Sequence, residues 1–214
     1  SLEELASAYE KRGLPAKKIV PGGIPVPVEW FSAEEKADAR SLLNLPQATP
    51  CILVPFAEDA ASAVSAVLAQ MKGDEARICL LAPDGAPPKS PFIARFAGDV
   101  RVSVFAPEDP LSRYFAACDV ILTLPSGAIT AFAAVSGKPI VHLPSSDPWQ
   151  KQTAQFFSSR GLSLAGANEL DSASLALTLA KDEAQKSAMR EKMQLMRMQS
   201  AAPRVVRFLH EGRL

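Results

Sequence analysis

Leu124-Pro125-Ser126-Gly127-Ala128-Ile129-Thr130 decides how this chain is read. Val120-Ile121-Leu122 ahead of it are strand formers and residues 128–135 behind it have helical character, so a small-residue turn points at the start of a helix. The first amides of a helix have no acceptor within it, and an anion such as a diphosphate fits there.

The same grammar of short apolar strand, turn and helix repeats on both sides of this stretch. Upstream, strands are predicted over 51–54, 77–81 and 100–105, with helices over 60–71 and 111–117. Downstream, a strand over 139–143 leads to Asp147 at a helix cap, Pro148 at the first helical position and Gln150 three residues after the cap. That helix runs over 148–159, Arg160-Gly161 stops it, and 162–164 adds an edge strand. Helices over 170–179, 181–198 and 204–210 follow. Nearer the start, 2–12 is an opening helix, 17–20 a strand and Pro21-Gly22-Gly23-Ile24-Pro25 a tight turn. Ser32, with Glu35 reaching back, caps a helix that ends before Leu45-Pro46.

Hairpin signals are scarce. An α/β fold with an open, mostly parallel sheet and helices on both faces is the economical solution. Such a sheet binds ligands beyond the carboxyl ends of its strands, which directs attention to the loops at 55–59, 82–86, 105–111, 124–130 and 143–150.

The 214 residues carry 23 basic and 23 acidic side chains, so charge gives no reason to expect nucleic acid as a partner. Cys51, Cys79 and Cys118 sit in apolar runs without metal-ligand spacing and read as buried free thiols; no metal site is expected. No apolar run reaches the roughly 18 residues of a membrane span and no signal peptide is visible, so a cytoplasmic protein is expected, with peripheral membrane contact left open. The chain opens at Ser1, which processing or excision from a longer polypeptide would explain.

Within the central loop, Gly127 permits close backbone approach, Ser126 offers a hydroxyl, and Ala128, Ile129 and Thr130 open the helix. Thr130 can meet phosphate or bond back to a preceding carbonyl. Phe132 reads first as helix-to-sheet packing. In the second loop, Trp149 offers an apolar platform to a sugar face and Gln150 can bond sugar hydroxyls; equally, Asp147 and Gln150 act only as capping groups. His142, inside an apolar strand, reads as a satisfied core or rim residue, and His210 has no clear partner. No nucleophile-base or metal constellation is recognisable, so the catalytic residues are unassigned. Met189, Met193 and Met196 share one helical stripe suited to packing.

Taken in order, these segments resemble the C-terminal, nucleotide-sugar-binding half of a two-domain GT-B glycosyltransferase. The resemblance is to the MurG, monogalactosyldiacylglycerol synthase and processive diacylglycerol glucosyltransferase group. Residues 18–26, Phe31 and residues 39–46 match the entry into that domain. The stronger match runs through Leu111, Tyr114, residues 116–123, Pro125 to Thr130, Ala133, Gly137-Lys138-Pro139, residues 148–157 and Gly161.

The resemblance implies one Rossmann-like half of a GT-B fold. It implies a UDP-sugar donor whose diphosphate lies by Ser126, Gly127, Ala128, Ile129 and Thr130 and whose sugar faces Trp149 and Gln150. Pro83, Phe105 and Phe132 then fall on the rim of the nucleotide pocket. Inverting hexosyl transfer to an acceptor hydroxyl, without a cofactor, would need a base from an N-terminal acceptor domain absent from this sequence; a lipid or glycan acceptor suits the group. The implied division is an interdomain-like segment over 1–26, the nucleotide-sugar domain over 27–180 and a helical extension over 181–214.

Three positions depart from the group. Pro55-Phe56-Ala57-Glu58-Asp59 replaces a glycine-rich turn, Phe132 stands where an acidic residue commonly holds the ribose, and Trp149-Gln150 replaces the usual Gln-Glu pair. This half alone is expected to be inactive. A UDP-sugar epimerase-like domain and a degenerate binding or structural domain are the alternatives.

Overall fold

The structure is a computed structural model that describes residues 7, 9–19, 26–31, 34–55, 61–73, 75–82, 91–96, 98–105, 109–195 and 201–211. Six strands form one sheet: β1 Cys51–Val54, β2 Arg77–Leu81, β3 Val102–Phe105, β4 Val120–Thr123, β5 Ile140–His142 and β6 Ser163–Ala165. Their order is β3-β2-β1-β4-β5-β6 and every pairing is parallel. The apolar runs of β1 and β4 are buried along their whole length, because helices cover both faces.

Nine helices described with the sheet are α1 Lys36–Leu42, α2 Ala61–Gln70, α3 Pro91–Phe96, α4 Leu111–Ala117, α5 Gly127–Val135, α6 Pro148–Ser159, α7 Glu169–Lys181, α8 Glu183–Leu195 and α9 Ala201–Glu211. Strand alternation divides the core in two. Ile52, Val54, Ile78, Leu80, Val120 and Leu122 face α2 and α7. Leu53, Leu81 and Ile121 face the opposite way, toward α1, α4, α5 and Trp30. The methionine stripe joins both layers, Met189 in the first and Met193 in the second. All three cysteines are buried and free.

The Arg160-Gly161 stop acts as expected, and Gly137 plays the same part after α5. Gly137 has φ 67° behind α5, and the next amide, Lys138 N, donates to Ala133 O at 2.8 Å; Gly161 has φ 67° behind α6. Two expectations near the start need correction. The strand expected over 17–20 is a 3-10 turn at Ala16–Lys18: Pro15 presets the bend, and Lys18 N and Ile19 N donate back to Pro15 O and Ala16 O. Val20 lies outside the described residues, as do most of the opening helix, the Pro21 to Pro25 turn and Ser32. The helix expected to follow Ser32 begins at Lys36 instead, with Glu35 at its cap position and no side-chain cap bond. Residues Val28–Phe31 ahead of it wind into a separate 3-10 turn that buries Trp30.

Candidate functional site

The chain leaves β1 toward β2 on one side, whereas β4 continues toward β5 on the other, so the order reverses between β1 and β4. A crevice opens outside the carboxyl ends of two such strands, and the connection from β4 into α5 stands at it. The stretch 124–130 is that connection.

Its local geometry follows from its residue types. Ser126 is extended (φ −77°, ψ 144°) and caps α5, its Oγ accepting from Ile129 N at 3.3 Å. Thr130 N donates to Ser126 O at 3.1 Å as the first ordinary helical bond. The amides of Gly127 and Ala128, the first two residues of α5, therefore precede any intrahelical acceptor, and both residues are exposed. A Cβ built on Gly127 meets nothing within 4 Å, which leaves room for a ligand oxygen against the backbone.

Thr130 points elsewhere. It is 1% exposed, and its Oγ1 lies 3.3 Å from His142 Nε2, so neither the phosphate contact nor the back-bond to a carbonyl describes its hydroxyl. His142 Nδ1 lies 3.2 Å from Ser163 Oγ, and Phe157 packs edge-on to the ring at 6.1 Å. His142 thus ties α5, β5 and β6 together as a satisfied core residue. Burial lowers its pKa from 6.5 to about 4.

That shift has a sign. The folded protein keeps His142 neutral while the unfolded chain takes up a proton, so stability present above pH 6.5 is lost as pH falls toward 4. The loss attributable to this ring is about 3 kcal/mol. Urea unfolding across that window should show it, and a His142→Gln variant should flatten the slope.

The second loop leaves the same edge of the sheet, since Thr123 and His142 are register partners and Leu143 N donates to Thr123 O at 2.9 Å. Asp147 caps α6, its Oδ1 accepting from Gln150 N at 2.8 Å, while its own amide donates to Ser145 Oγ at 3.1 Å. Asp147 is therefore occupied as a cap. Trp149 is 72% exposed beside it, and Gln150 is half-buried.

The remaining rim positions behave differently. Phe132 stacks on Trp30, ring centroids 4.3 Å apart and planes 10° from parallel, while Trp30 meets Phe115 edge-on at 4.9 Å. Phe105 ends β3 and packs on Tyr114 at 5.3 Å. Pro83 and residues 56–59 lie outside the described residues. Trp30 was not singled out by sequence reasoning: a lone tryptophan in a short turn after Pro27 has no periodicity, and its partners are far along the chain.

A buried cluster of charge lies at the opposite end of the sheet. Asp119, directly before β4, accepts from Arg40 Nη2 at 2.7 Å, from Cys51 N at 2.7 Å and from Lys36 Nζ. Burial acts to raise its pKa, but the Lys36 ammonium, the Cys51 amide and Arg40 outweigh it and hold the carboxyl below its ordinary value. Lys138 nearby donates to Ala116 O and Cys118 O, and burial lowers its pKa to about 8. These bonds fasten β1, β4, α1 and α4 together at the amino ends of the strands, away from the crevice. Among the described residues no group of three His, Cys, Asp or Glu side chains is arranged to hold a metal, and no helix is long and apolar enough to cross a membrane.

Solved structures share this fold. The UDP-GlcNAc 2-epimerase from Neisseria meningitidis bound to UDP-GlcNAc superposes with a TM-score of 0.70 at 14% identity, covering 98% of this chain and 60% of that one. A second UDP-N-acetylglucosamine 2-epimerase gives 0.65 at 18% identity over 98% of this chain and 56% of that one. The glycosyltransferase VinC in complex with DTDP gives 0.59 at 18% identity over 79% and 43%. The chain is one Rossmann-like half of a GT-B-like fold. As such a half, it spans less than two thirds of the length of each of these structures. No protein-family model and no curated protein sequence matches it. The MurG and galactolipid-synthase group is therefore narrower than the GT-B-like fold that the superpositions support.

Proposed function

We propose that this GT-B-like half binds the donor of a UDP-sugar-dependent inverting glycosyltransferase, which passes a hexosyl group to an acceptor hydroxyl. The observation that carries the reading is the exposed start of α5, with the Gly127 and Ala128 amides directed at the switch point of a 3-2-1-4-5-6 sheet. In this reading those two N–H groups, at the positive end of the helix, hold the diphosphate, and Ser126, Ile129 and Thr130 fix the turn behind them. Trp149 faces the sugar and Gln150 bonds its hydroxyls. The base and the lipid or glycan acceptor belong to a second domain.

An epimerase-like role is the second reading, favoured by the two epimerase structures that superpose over 98% of this chain. His142 does not supply its acid-base group, being 0% exposed with both ring nitrogens engaged. Incubating the full-length protein with UDP-sugars and acceptors separates the two: transfer yields UDP and a glycosylated acceptor, whereas epimerisation yields an isomerised sugar without an acceptor.

Donor binding itself is testable on this chain. Gly127→Asp places a carboxylate beside the two amides in open space, so it should weaken UDP binding about ten- to a hundredfold in calorimetry, the equivalent of one lost hydrogen bond to a charged group. Its melting temperature should stay near wild type. Unchanged affinity would place the diphosphate elsewhere.

A further inference from the structure

Between the Val28–Phe31 turn, α4 and the end of α5 lies a cavity of about 90 Å³ that takes no part in the crevice. Trp30, Ala116 and Ser112 wall it, Ser136 adds a second hydroxyl, and Lys138 reaches it from the connection into β5. At roughly 30 Å³ per water it has room for about three, which admits only a short organic molecule.

The ammonium of Lys138 is held by carbonyls rather than by a carboxylate. Its Nζ donates to Ala116 O at 2.7 Å and to Cys118 O at 3.1 Å, and it forms no ion pair among the described residues. An ammonium has three N–H groups, and the two carbonyls use two of them. Loss of the third proton breaks neither bond and leaves a lone pair in its place, on a side chain that lines the cavity. Burial is the largest influence on this amine; Lys36 from α1 and Arg190 from α8 act in the same direction, while Cys118 and Asp119 oppose them. With the pKa lowered to about 8, about a tenth of Lys138 is free amine near pH 7, against less than about a thousandth of an ordinary lysine.

We propose that Lys138 is a nucleophilic amine that captures a short, uncharged aldehyde in this cavity as a Schiff base. The Nζ lone pair bonds to the carbonyl carbon, the C=O π pair moves to oxygen, and the carbinolamine then loses that oxygen as water to form C=N. Of the three protons on the starting ammonium, two leave in the water and one stays on nitrogen, so the site begins and ends with one positive charge. The remaining N–H keeps a carbonyl partner. Charge selects the class of electrophile. Apart from Lys138, the charged residues lining the cavity are Glu29 and Glu34, the latter engaged by Arg113 Nε at 3.1 Å. An iminium suits these carboxylates, whereas an anionic aldehyde, or the carbamate that carbon dioxide would form, sets like charge against them. The site lies at the amino ends of the strands and acts independently of whether the crevice accepts a UDP-sugar.

Treating the 214-residue chain with cyanoborohydride and either glycolaldehyde or glyoxylate, a neutral and an anionic aldehyde of equal carbon number, tests this by peptide mass spectrometry. With glycolaldehyde near pH 7, Lys138 should be alkylated at least about tenfold faster than the exposed Lys72 and Lys151, a preference that urea unfolding abolishes. Glyoxylate should show at least about tenfold less preference for Lys138. Ser112→Leu fills the cavity without touching either carbonyl bond, so it should slow the labelling of Lys138 about tenfold at an unchanged melting temperature. The comparison of lysines within the wild-type chain stands whether or not that variant folds. Labelling of Lys138 no faster than that of exposed lysines, equal preference with both aldehydes, or a rate that a folded Ser112→Leu chain leaves unchanged would overturn the proposal.

Discussion

Asp119→Ala is expected to lower the unfolding free energy by about 3–5 kcal/mol, enough to unfold a marginal domain. The carboxylate is 4% exposed and faces Arg40, itself 1% exposed, so truncation leaves a buried guanidinium without its counter-charge. Arg40 would keep its bonds to Ala117 O, Pro46 O and Gln47 O, but carbonyls do not neutralise it. The amide of Cys51 would also lose its acceptor at the first residue of β1.

Pairing Asp119→Leu with Arg40→Met removes both charges and should recover part of the loss, the Cys51 amide still lacking its acceptor, a coupling that denaturant midpoints can measure. The pH dependence separates this network from His142. A carboxyl held below its ordinary value contributes fully above the unfolded pKa, 3.8, and loses its contribution only as pH falls through the lower folded value. From about pH 7 to about pH 5 the cost of Asp119→Ala should therefore stay constant, while the wild-type protein already weakens through His142.

Trp30→Ala should cost a similar amount, about 3–5 kcal/mol, by opening a cavity where an aromatic side chain was almost wholly buried. Trp30 is 5% exposed between Phe132 of α5 and Phe115 of α4, and both ring contacts are lost at once. Trp30→Phe should retain part of the stacking and cost less. The consequence reaches the crevice, because Phe132 and the amides of Gly127 and Ala128 belong to one helix of nine residues. Trp30→Ala should accordingly weaken UDP binding as well as stability, whereas Trp30→Phe should preserve binding. Isothermal calorimetry alongside urea unfolding distinguishes the two effects.

Local signals carried most of the fold. The start of α6 was legible because Asp147, Pro148 and Gln150 each act within one helical turn, and its predicted span agrees with Pro148–Ser159. The strands were legible as apolar runs because both faces of a parallel sheet are covered. The sequence did not disclose which strands are neighbours, yet that order places the 124–130 connection at the switch point.

The site was legible only in its backbone. Ser126 as cap and Gly127 as an open approach follow from residue type and position. The direction of the Thr130 hydroxyl does not, because it depends on His142 and Ser163 arriving from two other strands. Phe132 shows the same limit: its identity marks a departure from an acidic residue, but its stack on Trp30 joins segments that no periodicity connects. The strand expected over 17–20 gives way for a local reason: Pro15 presets a bend, and Lys18 N and Ile19 N close i-to-i+3 bonds behind it.

Titrating UDP into the isotope-labelled chain while following backbone amide resonances tests the donor site most directly. Saturable shifts led by the amides of Gly127 and Ala128, with the resonances of α9 unmoved, are expected. Saturable binding that leaves both of those amides unmoved, or no binding at millimolar UDP, would contradict a diphosphate site at the start of α5.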